Sequence, residues 1–147
     1  MKAADVMTPH PASCSPDTSV VDVTQMFVEH DVGAIPVVDP NTRRPVGIVT
    51  DRDVATRAVA SGADARQLRA ADCMTSSVVT VSRDASLDEV MDAMSEHQVR
   101  RVIVIDEQGG VAGIISQADV AEHARKKEAG EVVREVSRPG QPSRGAQ

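Results

Sequence analysis

The chain carries the same unit twice. Slid along itself by 67 positions, Ala4-Asp5-Val6-Met7-Thr8 falls on Ala71-Asp72-Cys73-Met74-Thr75, and Glu29-His30 on Glu96-His97. From Ala4 to Asp39 against Ala71 to Asp106, 13 of 36 positions are identical; one deleted residue later, Gly47-Ile48-Val49-Thr50 meets Gly113-Ile114-Ile115-Ser116. Such a repeat calls for two copies of one unit rather than one irregular domain. A unit of about 55 residues is too small to bury its helices well alone, so the two copies are expected to complete one core between them.

Within each unit the periodicity changes in the same order. A short apolar strand (Pro11 to Cys14; Val78 to Val81) precedes an amphipathic helix. In the second unit Leu87, Val90, Met91 and Met94 fall on one helical face, with Ser86 and Glu89 spaced as a capping box; Ser19, Val20, Val23 and Phe27 take the same places in the first. Two strands follow, Val32 to Val38 and Val46 to Val49, repeated as Val99 to Ile105 and Val111 to Ile115. Asp39-Pro40-Asn41 and Gln108-Gly109-Gly110 supply their turns. A helix beginning near Asp51, and again near Gln117, closes each unit. The reading is an α/β (α+β) chain of two β-α-β-β-α motifs, 4–60 and 71–125, joined by a linker at 61–70. Residues 126–147 are expected to extend the last helix and then run into a disordered tail with no apolar content to dock.

Composition narrows the core and the partners. Phe27 is the one aromatic residue, so the core has to be assembled from Val, Ile, Ala and Met. A net charge of -6 argues against a nucleic-acid or anionic-membrane surface, because both need an excess of Lys and Arg. No apolar leader opens the sequence and no run of 18 apolar residues crosses a bilayer, so a cytoplasmic location is expected. Cys14 and Cys73 make neither a C-x-x-C pair nor a zinc pattern and read as reduced thiols. No nucleophile elbow, phosphate loop, dinucleotide turn or H-E-x-x-H helix occurs, which argues against an enzyme.

Gly33-Ala34-Ile35-Pro36-Val37-Val38-Asp39 followed by Gly47-Ile48-Val49-Thr50-Asp51-Arg52-Asp53-Val54 resembles the signature of a CBS motif. So does Val99-Arg100-Arg101-Val102-Ile103-Val104-Ile105-Asp106 followed by Gly113-Ile114-Ile115-Ser116-Gln117-Ala118-Asp119-Val120. In length, and in Glu29-His30-Asp31-Val32-Gly33-Ala34, the chain is similar to free-standing bacterial CBS-pair proteins (Bateman modules), including the hypoxic-response type. The resemblance implies a pseudo-two-fold CBS pair, homodimerisation through a second pair, and clefts for AMP, ADP, ATP or another adenosyl compound. No cofactor is required, no metal site is expected, and the signal passes to a regulated partner the sequence does not name.

Thr50 with Asp53, and Ser116 with Asp119, stand in a [Ser/Thr]-x-x-Asp spacing at the start of the closing helices. Spacing alone reads as helix capping, with the acid at the positive end of the dipole. The resemblance adds a second role, the acid accepting from ribose hydroxyls and the helix N-terminus facing phosphate. Arg100 and Arg101 would reach phosphates with their planar forks, while the first unit has Gly33 and Ala34 there, open to a flat ring. As strand neighbours the two arginines should point to opposite faces unless a bulge intervenes. The lead-ins Met7-Thr8-Pro9-His10-Pro11 and Met74-Thr75-Ser76-Ser77-Val78 resemble segments that read the adenine edge, placing Thr8, Pro11, Thr75 and Val78 at the site. Ile35, Ile48, Val78 and Val102 are candidates to sandwich the base, and Ile103 departs from the family, which has Pro there. His30 and His97 are read as complements to helix C-termini rather than metal ligands. The favoured function is a regulatory module that binds an adenosyl nucleotide in an inter-motif cleft; the alternative is a CBS-fold interaction or stress-response protein with unoccupied clefts.

Overall fold

The computed structural model describes the backbone of residues 1–136 and the side chains of residues 1–130. A short helix α1 (Ala3–Val6) and strand β1 (Thr8–Pro9) lead into helix α2 (Val20–His30) and the hairpin β2 (Ala34–Val38) and β3 (Pro45–Thr50). Helix α3 (Asp51–Asp53) passes straight into a π-helical turn over Val54–Val59. The linker expected at 61–70 contains a 3-10 turn at Ala65–Gln67. The second copy runs α4 (Ala70–Cys73), β4 (Thr80–Ser82), α5 (Leu87–His97), β5 (Arg101–Ile105), β6 (Val111–Ser116) and α6 (Gln117–Val136). The chain is thus a mixed α/β (α+β) pair of like units. The tail expected to be disordered lies outside the described residues.

Local chemistry sets these elements. Ser19 and Ser86 cap α2 and α5, their hydroxyls accepting from the Asp22 and Glu89 amides at 3.1 Å each. Both helices end on a non-glycine residue in the left-handed region, Asp31 at φ 52° and Gln98 at φ 53°. Few residues adopt that geometry, yet it occurs at the same place in both repeats and turns the chain sharply into the following strand. His30 and His97 occupy the last turns, where a cation complements the dipole.

The sheets show why one unit is not enough. Strands β5 and β6 pair antiparallel, β4 lies parallel to β5, and β1, from the other unit, adds antiparallel to β6 through Thr8 opposite Ile114 and Pro9 opposite Gly113. Around the β2–β3 hairpin the same places are held by single bridges, Cys14 parallel to Val37 and Thr75 antiparallel to Ile48. Each lead-in therefore hydrogen-bonds to the hairpin of the other unit. The strand expected at Pro11 to Cys14 contracts to the Cys14 bridge, because Pro9, Pro11 and Pro16 have no N–H to give a ladder. The strand expected from Val78 begins two residues later, at Thr80.

A pair of glycines makes the exchange possible. A Cβ on Gly47 would lie 3.1 Å from Met74 Cγ and 3.1 Å from the Thr75 carbonyl, and one on Gly113 would lie 2.9 Å from Met7 Cβ. Each hairpin thus seats the methionine of the other lead-in directly on its backbone.

Packing follows the exchange. Ala3 joins the second unit's core of Val90, Met94, Val102, Val104 and Ile115, while Ala70 joins the first unit's core of Cys14, Val23, Ile35, Val37 and Val49. A third cluster of Val20, Ala58 and Cys73 lies at the seam. Full burial of each Val or Ile contributes about 1.5–3 kcal/mol. Phe27, the single aromatic, packs only at the margin. Among the described residues no helix is long and apolar enough to cross a membrane.

Candidate functional site

A large cleft lies across the seam. It encloses about 630 Å³ and is lined from the first unit by Ile48 and Thr50 to Asp53, and from the second by Thr75, Ser77 to Val79, Gln98 to Arg101, and Ile103. Thr50 is the N-cap of α3 and forms a reciprocal box with Asp53: the Asp53 amide donates to Thr50 Oγ1 at 3.1 Å and the Thr50 amide donates to Asp53 Oδ2 at 3.0 Å. Asp53 is 9% exposed, the one buried charged residue among the described residues. Capping engages Oδ2; Oδ1 stands 3.9 Å from Arg57 Nε and keeps lone pairs for other donors.

The opposite wall is set by backbone. Thr75 and Ile48 exchange two hydrogen bonds, Ile48 amide to Thr75 carbonyl at 3.0 Å and Thr75 amide to Ile48 carbonyl at 2.9 Å. The left-handed Gln98 then directs Val99-Arg100-Arg101 along the cleft. Strand β5 begins only at Arg101, and the Arg100 carbonyl accepts from the Gln117 amide at 2.9 Å. Because Arg100 stands outside the regular pleat, both arginines line the cleft, the irregular exception to alternation. Three arginines, Arg52, Arg100 and Arg101, and two acids, Asp51 and Asp53, line the cleft together with Ile48, Val78 and the almost fully buried Ile103. That arrangement offers a carboxylate oxygen for hydroxyls, guanidinium forks for an anion and a flat surface for a ring.

Of the candidates read from the sequence, this cleft gathers Thr50, Asp53, Thr75, Val78, Arg100 and Arg101. Thr8, Gly33, Ala34, Ser116 and Asp119 lie outside its lining. Ser116 and Asp119 repeat the reciprocal box at 2.9 and 3.1 Å, and Thr8 pairs with Ile114 beside it, as Thr75 does with Ile48. The Gly33 carbonyl accepts from the Asp51 amide, and Ala34 pairs with Thr50. Pro11 borders a separate cavity of about 180 Å³ with His10, Ser13, Val38, Arg43 and Val111. Ile35 and Val102, read as part of the base sandwich, sit instead in the two cores at 0% and 1% exposure. Ile103, the next residue after Val102, is as deeply buried at 1% exposure but borders the cleft. Arg52, Ser77 and Gln98 were missed; the run Thr50-Asp51-Arg52-Asp53 carried a signal for Arg52, since a first-turn residue of a helix opening on a site is placed to reach it.

Comparison with known proteins fits this geometry. The family model for the CBS domain matches twice, over residues 3–60 and 70–126, and the chain belongs to that family as a tandem pair. It is 35% identical over 121 residues to Hypoxic response protein 1 of Mycobacterium tuberculosis, covering 82% of this chain and 83% of that one. The crystal structure of that protein, with two coordinated zinc ions, superimposes with a TM-score of 0.73 over 84% of this chain and 98% of that one, at 32% identity. The CBS domain pair of protein MJ0100, in complex with 5-methylthioadenosine and S-adenosyl-L-methionine, gives 0.76 over 86% and 98%, at 25% identity. CBSX2 of Arabidopsis thaliana, in complex with AMP, gives 0.71 over 86% and 98%, at 28% identity. Among the described residues of this chain no three His, Cys, Asp or Glu side chains converge as ligands.

Proposed function

We propose that the chain is a regulatory CBS pair that binds an adenosyl nucleotide of the AMP, ADP or ATP class in the Thr50–Asp53 cleft and passes its occupancy to a partner protein. The observation that carries the proposal is Asp53: a nearly buried carboxylate, fixed by its own helix cap, with one oxygen to spare beside an anion-binding rim of Arg52, Arg100 and Arg101. A ribose diol suits the first and phosphate the second, while Ile48, Val78 and Ile103 suit the base. The related pairs that hold AMP or S-adenosyl-L-methionine support the same ligand class. We place the protein in the cytoplasm, where its two buried thiols stay reduced, and take it to act as a homodimer.

The test is thermal unfolding against AMP, ADP, ATP, NADH and S-adenosyl-L-methionine, followed by circular dichroism since the chain has no Trp. A ligand at about 100 times its Kd adds about 2.7 kcal/mol, a shift of several degrees for a chain of this size. Asp53→Asn retains an oxygen for the cap and removes the charge; it is expected to abolish that shift while the ligand-free melting temperature changes little. No shift with any compound would return the chain to the alternative of a CBS-fold interaction protein with unoccupied clefts.

A further inference from the structure

Behind the cleft, one arginine ties its two walls together without lining it. Arg57 lies in the π-helical turn that follows α3, where the Ala60 amide closes back on the Ala55 carbonyl at 3.0 Å. Its Nη1 donates to the Met74 carbonyl at 2.9 Å and to the Cys73 carbonyl at 3.3 Å. Its Nε stands 3.9 Å from Asp53 Oδ1. Met74 immediately precedes Thr75, the residue that bridges Ile48 across the seam. A single guanidinium therefore touches the lead-in of the second motif and the capping acid of the first. Its planar array of five donors suits two carbonyls and a carboxylate together, which the point charge of a lysine does not.

The second motif lacks this device. There the aligned residue is His123, on the uninterrupted helix α6. The π turn thus falls only in the motif whose closing helix opens on the large cleft, and single π turns are frequent at functional sites.

We propose that Arg57 is a positioning residue: it holds the Cys73–Met74 backbone against Asp53, so that the Thr75 wall and the carboxylate stand at the separation a ligand needs before it arrives. The binding consequence rests on the function proposed above; the structural one does not. Preorganisation of this kind raises affinity by removing an ordering cost from the binding step.

The test compares wild type with Arg57→Gln, Arg57→Lys and His123→Gln. AMP is the titrant, and amide hydrogen exchange is read without ligand. Arg57→Gln is expected to weaken AMP at least tenfold and to speed exchange selectively at the Ile48 and Thr75 amides, with the ligand-free melting temperature within a few degrees of wild type. Arg57→Lys should recover part of the affinity, and His123→Gln should leave it unchanged. Wild-type exchange at Ile48 and Thr75 in Arg57→Gln would overturn the proposal, as would wild-type AMP affinity or faster exchange spread evenly over the core. If wild type binds none of the adenosyl compounds, the ligand reading fails by itself. Exchange then decides: selective opening at Ile48 and Thr75 sustains the positioning role, and its absence overturns it.

Discussion

Asp53 and Cys14 are both drawn out of water, and the fold treats them differently. Asp53 accepts from the Thr50 amide and stands 3.9 Å from Arg57 Nε, in the first turn of a helix. Replacing it by Ala removes the carboxylate that accepts from the Thr50 amide and leaves the other half of the box, the residue-53 amide on the Thr50 hydroxyl, in place. The expected outcome is about 1 kcal/mol of stability lost by chemical denaturation, together with any adenosyl-dependent shift. Asp119→Ala should cost the same capping energy, and comparison of the two variants separates the clefts. Cys14 has no such compensation: burial pushes its thiol from 9.0 up to about 11. Cys73 moves in the same direction, through burial and the carboxylates of Asp72 and Asp53, opposed by Arg57. The folded state therefore holds the Cys14 proton where the unfolded chain has released it, and stability falls as pH rises from about 9 to about 11. The loss amounts to about 2–3 kcal/mol from Cys14 alone. Urea midpoints at pH 8 and pH 10.5 would read it, and Cys14→Ala should leave a smaller fall. With no Tyr and few Lys in the chain, little else titrates in that window.

At the scale of elements, the close approach of Met74 to Gly47 is the most exposed to substitution. Gly47→Ala puts a methyl group against Met74 and the Thr75 carbonyl and is expected to cost about 1–3 kcal/mol, read as a lower urea midpoint. Much of this level was legible in the sequence. The helices over Val20–His30 and Leu87–His97 follow from their apolar spacing and serine caps, the hairpins from Asp39-Pro40-Asn41 and Gln108-Gly109-Gly110, and the closing helices from Thr50 and Ser116. The first strand of each unit was not, because periodicity over four residues carries no register and does not say which hairpin a segment will join. The same gap left open which way Ile35 and Val102 turn: alternation assigns residues to two faces, and the packing around the strands puts these two in the cores. Arg57 was invisible for a further reason, since its carbonyl partners lie 16 and 17 residues away, across the linker.

For the whole molecule, each core is finished by residues from the other half of the chain, Ala3 and Met7 in one direction and Ala70 and Met74 in the other. Fragments cut within the linker, each carrying one motif and its own lead-in, are expected to show little structure alone by circular dichroism and to recover it when mixed; two independently folded halves would contradict the seam described here. The homodimer proposed above predicts a dimer in sedimentation, and Val28→Asp with Met91→Asp, at two exposed apolar positions of α2 and α5 (79% and 43%), is expected to weaken it. The exchanged lead-ins also bear on heredity. A single unit of this kind would leave its own lead-in without a hairpin, and two separate units would trade them as a swapped dimer does. Joining the two units in one chain makes that trade permanent and independent of concentration, as tethering does for any paired modules. Once joined, the halves are free to diverge, one keeping Arg100 and Arg101 and the other Gly33 and Ala34, while every change in a lead-in is felt in the opposite half.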